Sequence, residues 1–291
     1  MISVWELVDS WNVFFHGPAR VEPLAFFRVL LGLIVSMSAA LLWPVVPRHL
    51  AADGVFPRRA FEEIYGRRRL TLLNVLPDST ASVYWVLLGL IVAGLTLSVG
   101  CWTRVSAAAV FLGLVSIHHR NPAILHSGDT VLRLMAFLMM FAPAGAAYSV
   151  DAWLSGESHF QIDPWAMRLM QIQVCVIYLK SVGWKLQGEE WRNGTAAWYP
   201  MQCEHYRRFP LPRRLLSLPC LKLATWGTLL IEFSLGTLIW VRELRPWVVA
   251  GGVLLHLMLE WVINVQLFGW TMVACLCLFL PPEQLARWLP G

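Results

Sequence analysis

The sequence predicts an all-α fold, a polytopic transmembrane helical bundle of about eight spans. Three observations carry that expectation. First, 57% of the 291 residues are hydrophobic and only 14% are charged, with a mean hydropathy of +0.58, whereas a soluble domain carries about 25% charged residues. Second, apolar stretches near the ~20 residues needed to cross a bilayer recur along the chain, separated by loops rich in Pro, Gly and Arg. Third, sixteen tryptophans and fourteen phenylalanines suit a hydrocarbon core and its interfaces. Together they exclude a soluble single domain, a disordered regulator and a nucleic-acid module. The five excess positive charges read instead as Lys and Arg gathered on one side of a membrane, so the expected partner is the lipid bilayer and no nucleic acid.

Each element follows from local composition. Residues 1–23 hold Glu6, Asp9 and Glu22 with Arg20 as the one Lys or Arg, the reverse of a signal peptide's charge. Trp5, Trp11, Phe14 and Phe15 make this stretch an interfacial amphipathic segment. The membrane domain covers 24–281, and a short tail covers 282–291. Spans are predicted near 24–43 (ended by Pro44 and Pro47), 82–100, 105–118, 129–142 (ended by Pro143 and Gly145), 167–186, 221–241, 247–261 and 265–280. Cys101, Cys175, Cys203, Cys220, Cys275 and Cys277 show no CxxC spacing, so no disulfide framework is indicated. The loop arginines Arg48, Arg58, Arg59, Arg67, Arg68 and Arg69, and then Arg192, Arg207, Arg208, Arg213 and Arg214, fall on one side of an eight-span chain. That side is cytoplasmic by the positive-inside rule, with both termini outside.

Ionisable groups within spans point to function, because a central charge costs roughly 2.5–3.5 kcal/mol on insertion scales. Here they are Arg28, Asp129, Arg133, Lys180, Lys185, Glu232, His256 and Glu260. Asp129 and Arg133 stand four apart, so they share a helix face and can pair, either to orient a ligand or to fix packing. His256 and Glu260 share a face in the same way, as a proton relay, two metal ligands or a packing contact. A metal needs at least a third ligand, and adjacent His118 and His119 diverge by about 100°, so no metal is predicted. In the fifth span Gln171, Tyr178 and Lys185 recur every seven residues, a polar stripe on an apolar helix. A lysine there is either a desolvated general base or a side chain snorkelling to the headgroups.

These residues carry a resemblance. His119-Arg120-Asn121, Gly128-Asp129, Arg133, Phe137, Phe141-Ala142-Pro143, Gly145 and Ser149-Val150-Asp151 resemble the bacterial HTTM (horizontally transferred transmembrane) domain. So do Asp53-Gly54-Val55-Phe56-Pro57-Arg58, the run from Tyr178 to Lys185-Leu186 with Gly188, Trp191 and Gly194-Thr195-Ala196, and His256 followed by Phe268, Met272 and Phe279. That family is related to the membrane portion of vitamin K-dependent gamma-glutamyl carboxylase, in which an active-site lysine deprotonates the vitamin K hydroquinone. By its Lys-Leu, Trp and Gly context, Lys185 matches that lysine. At Gly128-Asp129 the chain departs from the carboxylase, which carries an essential histidine in this region.

The resemblance implies a carboxylase-like (lyase) enzyme or quinol-coupled oxygenase of the bacterial inner membrane, spanning it several times. Its cofactor would be a hydroquinone of the vitamin K or menaquinol type, and a peptide or small molecule would be modified. Lys185, Asp129, His256 and Glu260 are the catalytic candidates. Tyr178, Arg133, Asn121, Trp191, Arg28, Lys180 and Glu232 are candidates to line the quinol pocket. The alternatives are a non-catalytic scaffold or partner membrane protein in peptide maturation or export, and, last, a transporter. Inverted repeats and matched broken helices, the marks of many transporters, are not evident in the sequence.

Overall fold

Small polar residues and prolines at segment ends set where the helices start and stop. The computed structural model of the protein describes residues 3–51, 53–55, 57, 63–64, 66, 71–204 and 207–289. Phe56, Arg58, Arg59, Arg67, Arg68 and Arg69 of the first loop lie outside the described residues. Helix α1 (Val4–His16) opens with a capping box between Ser3 and Glu6. Strand β1 (Ala19–Arg20) follows, then α2 (Glu22–Leu42) with Pro23 in its first turn. The α-helix ends at Leu42, next to the two prolines expected to end it, but the helical path continues. Pro44 and Pro47 sit in the first turns of a 3-10 segment (Trp43–Val45) and of α3 (Val46–His49), where a missing N–H leaves no bond unmade.

The remaining elements are α4 (Thr80–Val99), α5 (Thr103–Arg120), α6 (Ser127–Met139), α7 (Val150–Ser155), β2 (Gln161–Ile162), α8 (Trp165–Lys185), α9 (Glu189–Asn193), α10 (Trp198–Gln202), α11 (Leu218–Thr237), α12 (Arg245–Val262), α13 (Phe268–Leu276) and α14 (Pro282–Leu285). A helix therefore stands at each of the eight predicted segments. Among the described residues three helical stretches, Glu22–His49, Thr80–Val99 and Leu218–Trp240, are long and apolar enough to cross a membrane, and Phe268–Phe279 is a shorter apolar one.

The chain divides into two units, residues 1–168 with 282–291, and residues 169–281. In the first, α2 and α4 meet backbone to backbone. A Cβ on Gly32 would stand 2.3 Å from Gly94 O, so only glycine fits the crossing. Hydroxyls weld it, since Ser36 Oγ donates to Gly32 O (2.9 Å) and Ile91 O (3.0 Å), and Ser98 Oγ donates to Val29 O (2.9 Å). Strands β1 and β2 pair antiparallel, Ala19 opposite Ile162. The tail returns to this unit, where α14 packs on α2 and Leu285 and Leu289 are buried. In the second unit α12 packs against both α11 and α13, around Leu235, Ile239, Val249, Met272, Cys275 and Leu276.

Candidate functional site

The seven-residue spacing on α8 makes a polar seam, and each rung takes its partner from a different segment of the second unit. Gln171 Nε2 donates to Leu278 O at 2.7 Å. The Tyr178 hydroxyl lies 2.7 Å from Nε2 of His256 on α12. Lys185 Nζ forms an ion pair with Oε1 of Glu232 on α11, while Ser181 Oγ donates to Glu232 Oε2 at 3.1 Å. Gln171, Tyr178, Glu232 and His256 are buried, and Lys185 keeps 21% of its side-chain surface. A carboxylate inside an apolar helix is tolerated when both oxygens are bonded and a cation balances it, and Ser181 and Lys185, one turn apart on α8, supply both conditions. The Lys185 ammonium also lies 4.7 Å over the Trp191 ring, a cation–π contact. Lys180 stands apart from the cluster, exposed and 5.2 Å over the ring of Trp184.

His256 and Glu260 do not form a relay with each other. Their four-residue spacing holds, but the Glu260 carboxylate is drawn elsewhere. Oε1 accepts from Arg208 Nη2 at 3.0 Å, and Oε2 accepts from Gly269 N at 3.1 Å in the first turn of α13, where free backbone N–H groups favour an anion. His256 instead uses Nε2 for Tyr178, and its buried Nδ1 has no hydrogen-bond partner among the described residues.

Lys185 also faces a cavity of about 940 Å³. Its walls are mostly hydrocarbon, including Leu223 and Ile231 on α11, Leu255 and Met258 on α12, and Met201 on α10. Lys185, Glu190, Tyr199, Thr225 and Thr228 are its polar lining groups, with the Trp191 ring beside them. A Cβ built on Gly227 meets nothing within 4 Å, so this glycine opens onto the space. Cavities of this size and lining suit an apolar ligand with one polar end.

Arg28, Asn121, Asp129 and Arg133 belong to the first unit, and there the backbone takes up polar groups of the first three. Arg28, 1% exposed, donates from Nη1 to Ala144 O at 2.7 Å and from Nη2 to Tyr148 O. Asn121 Nδ2 donates to His49 O at 2.8 Å, and its Oδ1 accepts from Ala123 N at 3.1 Å. The expected Asp129–Arg133 ion pair is not formed among the described residues. Asp129 is the third residue of α6, and its capping box turns the carboxylate back toward the helix start. Oδ2 accepts from His126 N at 2.9 Å, away from Arg133 one turn on. The imidazoles of His118 and His126 flank it, with Nε2 atoms 4.0 and 3.6 Å from its oxygens. Among the described residues no group of three or more His, Cys, Asp or Glu could hold a metal ion.

Reading the sequence missed Ser181, Arg208 and the cavity wall. Ser181 carried a usable signal, because it stands one turn before Lys185 on the same face. Arg208 carried none, since its partner lies 52 residues away.

No solved structure matches the chain. The model of the HTTM domain family matches residues 17–284, nearly the whole length and all of the seam described above. The protein belongs to the HTTM domain family and is a membrane protein.

Proposed function

We propose that this HTTM-domain protein is a multi-pass enzyme of a bacterial inner membrane that uses a hydroquinone, of the vitamin K or menaquinol type, with Lys185 as its base. The observation that carries the reading is the Lys185–Glu232 pair at the wall of the ~940 Å³ apolar cavity. The residues fit such a ligand. Hydrocarbon walls suit a fused ring and its tail, and Lys185, Thr225 and Thr228 offer polar contacts for a hydroxyl. When bound, a hydroquinone supplies an acidic hydroxyl and two electrons for an oxidant such as dioxygen.

The chain's own residues handle the proton. Glu232 Oε1 receives the proton of the Lys185 ammonium along their hydrogen bond, which leaves a neutral amine and a neutral carboxyl. The amine then accepts a proton from a hydroxyl presented at that end of the cavity. Ser181 holds the other carboxyl oxygen in place through the exchange. Trp191 covers the amine and limits water around it. A peptide or small molecule is the acceptor to be modified, by carboxylation or by quinol-coupled oxygenation.

The test is mass spectrometry of the membrane fraction and of secreted peptides from cells carrying wild-type protein, Lys185→Ala or Lys185→Arg, matched for expression and folding. An oxidised quinone or modified peptide made by wild type and missing from both variants supports the base. Profiles unchanged in folded Lys185→Arg reject it, and the protein is then a non-catalytic scaffold or a partner in peptide maturation.

A further inference from the structure

We propose that α1 lies flat in the headgroup layer of the bilayer, as one arm of an aromatic belt that marks the membrane boundary of the first unit. At 100° per residue, positions 4, 7, 8, 11, 14 and 15 of α1 fall within an arc of about 120°, and all are apolar: Val4, Leu7, Val8, Trp11, Phe14 and Phe15. Trp5 flanks the arc. Ser10 flanks its other edge, and Glu6, Asp9 and the exposed Val13 lie opposite. Phe15 is buried against the protein, whereas Val4, Leu7, Val8 and Trp11 are exposed. An apolar arc left open beside a membrane-spanning helix needs a cover that is itself apolar.

Three features of the molecule point to lipid as that cover. First, α1 is tied down at the start of α8, beside the strand pair that leads into α2. Arg168 Nε donates to Phe14 O at 3.2 Å and its guanidinium stacks on the Phe14 ring, while His16 Nδ1 bonds Asp163 Oδ2 at 3.0 Å. With α2 starting at Glu22 and a crossing stretch running from there, α1 stands at the edge of the membrane core.

Second, other exposed tryptophans gather at this same end. Pairing of β1 with β2 joins the start of α2 to the segment before α8. The bond from Asp151 N to Gly100 O (3.0 Å) and those from Trp102 N (2.7 Å) and Thr103 N (2.8 Å) to the Asp151 carboxylate join α7 to the turn between α4 and α5. On these joined pieces stand Trp5, Trp11, Trp102 and Trp153, exposed by 79%, 62%, 75% and 79%. Tryptophan, with an apolar body and one N–H, concentrates where water meets hydrocarbon. Third, α1 carries Glu6 and Asp9 with no Lys or Arg. Its attachment is therefore hydrophobic, to zwitterionic lipid, and owes nothing to anionic headgroups.

Spin labels test this in the full-length protein reconstituted in phosphatidylcholine nanodiscs. Cysteines are placed at Leu7 and Val8 on the arc and at Asp9 and Val13 opposite, and the signal of the parent's six free cysteines is subtracted. The expected result is relaxation by oxygen exceeding relaxation by a water-soluble nickel chelate at 7 and 8, with the order reversed at 9 and 13. The doubly substituted Trp5→Glu, Trp11→Glu protein should lose that difference. Dominance of the chelate at all four positions overturns the proposal, because α1 then stands in water. Protection from both agents at 7 and 8 also overturns it, because a protein surface then covers the arc.

Discussion

The two units treat their buried polar and charged groups in opposite ways. In the first, Arg28, Asn121 and Asp129 bond chiefly to the backbone, closing loops and capping helices. In the second, Lys185, Glu232, Ser181, Tyr178 and His256 bond side chain to side chain across three helices, beside a cavity. A charge held by carbonyls has one protonation state to keep. A lysine facing a carboxylate has a proton that can move between them. Buried polar groups thus tie side chain to backbone in one unit and side chain to side chain in the other.

The largest expected effect comes from breaking the pair in the second unit. Lys185→Ala leaves the Glu232 carboxylate buried without its cation and should cost about 3 kcal/mol, the low end for a buried pair, because Lys185 is partly exposed. Thermal unfolding in detergent measures it. Arg28→Met probes the first unit. It strands the Ala144 and Tyr148 carbonyls and should cost about 2–3 kcal/mol, while product formation per folded molecule stays unchanged. A loss of turnover in stable Arg28→Met protein would break the division between the units.

Smaller effects sharpen it. Tyr178→Phe leaves His256 Nε2 without its partner and should cost about 1–2 kcal/mol. In the first unit, Asp151 is partly desolvated, which favours its neutral form. Hydrogen bonds from the Thr103 backbone and hydroxyl and from Trp102 N outweigh that and hold its carboxyl below the usual carboxylate range. Because its folded value is depressed, Asp151 adds stability above the unfolded carboxylate range and loses it as pH falls through the folded value. Melting curves should show an acid-side loss that is shallower in Asp151→Asn. The smallest stability change belongs to Gly227→Leu, which grows into open space. It should leave the melting temperature near wild type and weaken binding of a menaquinone-type probe.

Much of this was legible in the sequence. Eight apolar segments became eight helices, because length and hydropathy are local properties. The heptad stripe of Gln171, Tyr178 and Lys185 needed only the helical period. Partners were less accessible. Spacing put Asp129 near Arg133 and His256 near Glu260, yet helix starts at α6 and α13 supplied free N–H groups that claimed both carboxylates. Glu232 stood out as a charge in an apolar helix, but its match with Lys185 is set by helix packing across 47 residues. Pro44 and Pro47 did mark the end of the α-helix at Leu42, but not of the helical path, since a proline is harmless in a first helical turn.

The central claim is that the Lys185–Glu232 pair exists for proton transfer and not for packing. Lys185→Met combined with Glu232→Leu separates the two roles, because an apolar pair of similar volume commonly replaces a buried ion pair without loss of stability. Product formation by this double variant, in protein that melts like wild type, is the measurement to make. The prediction is a stable protein that forms no product. A stable double variant that keeps wild-type product formation would contradict it.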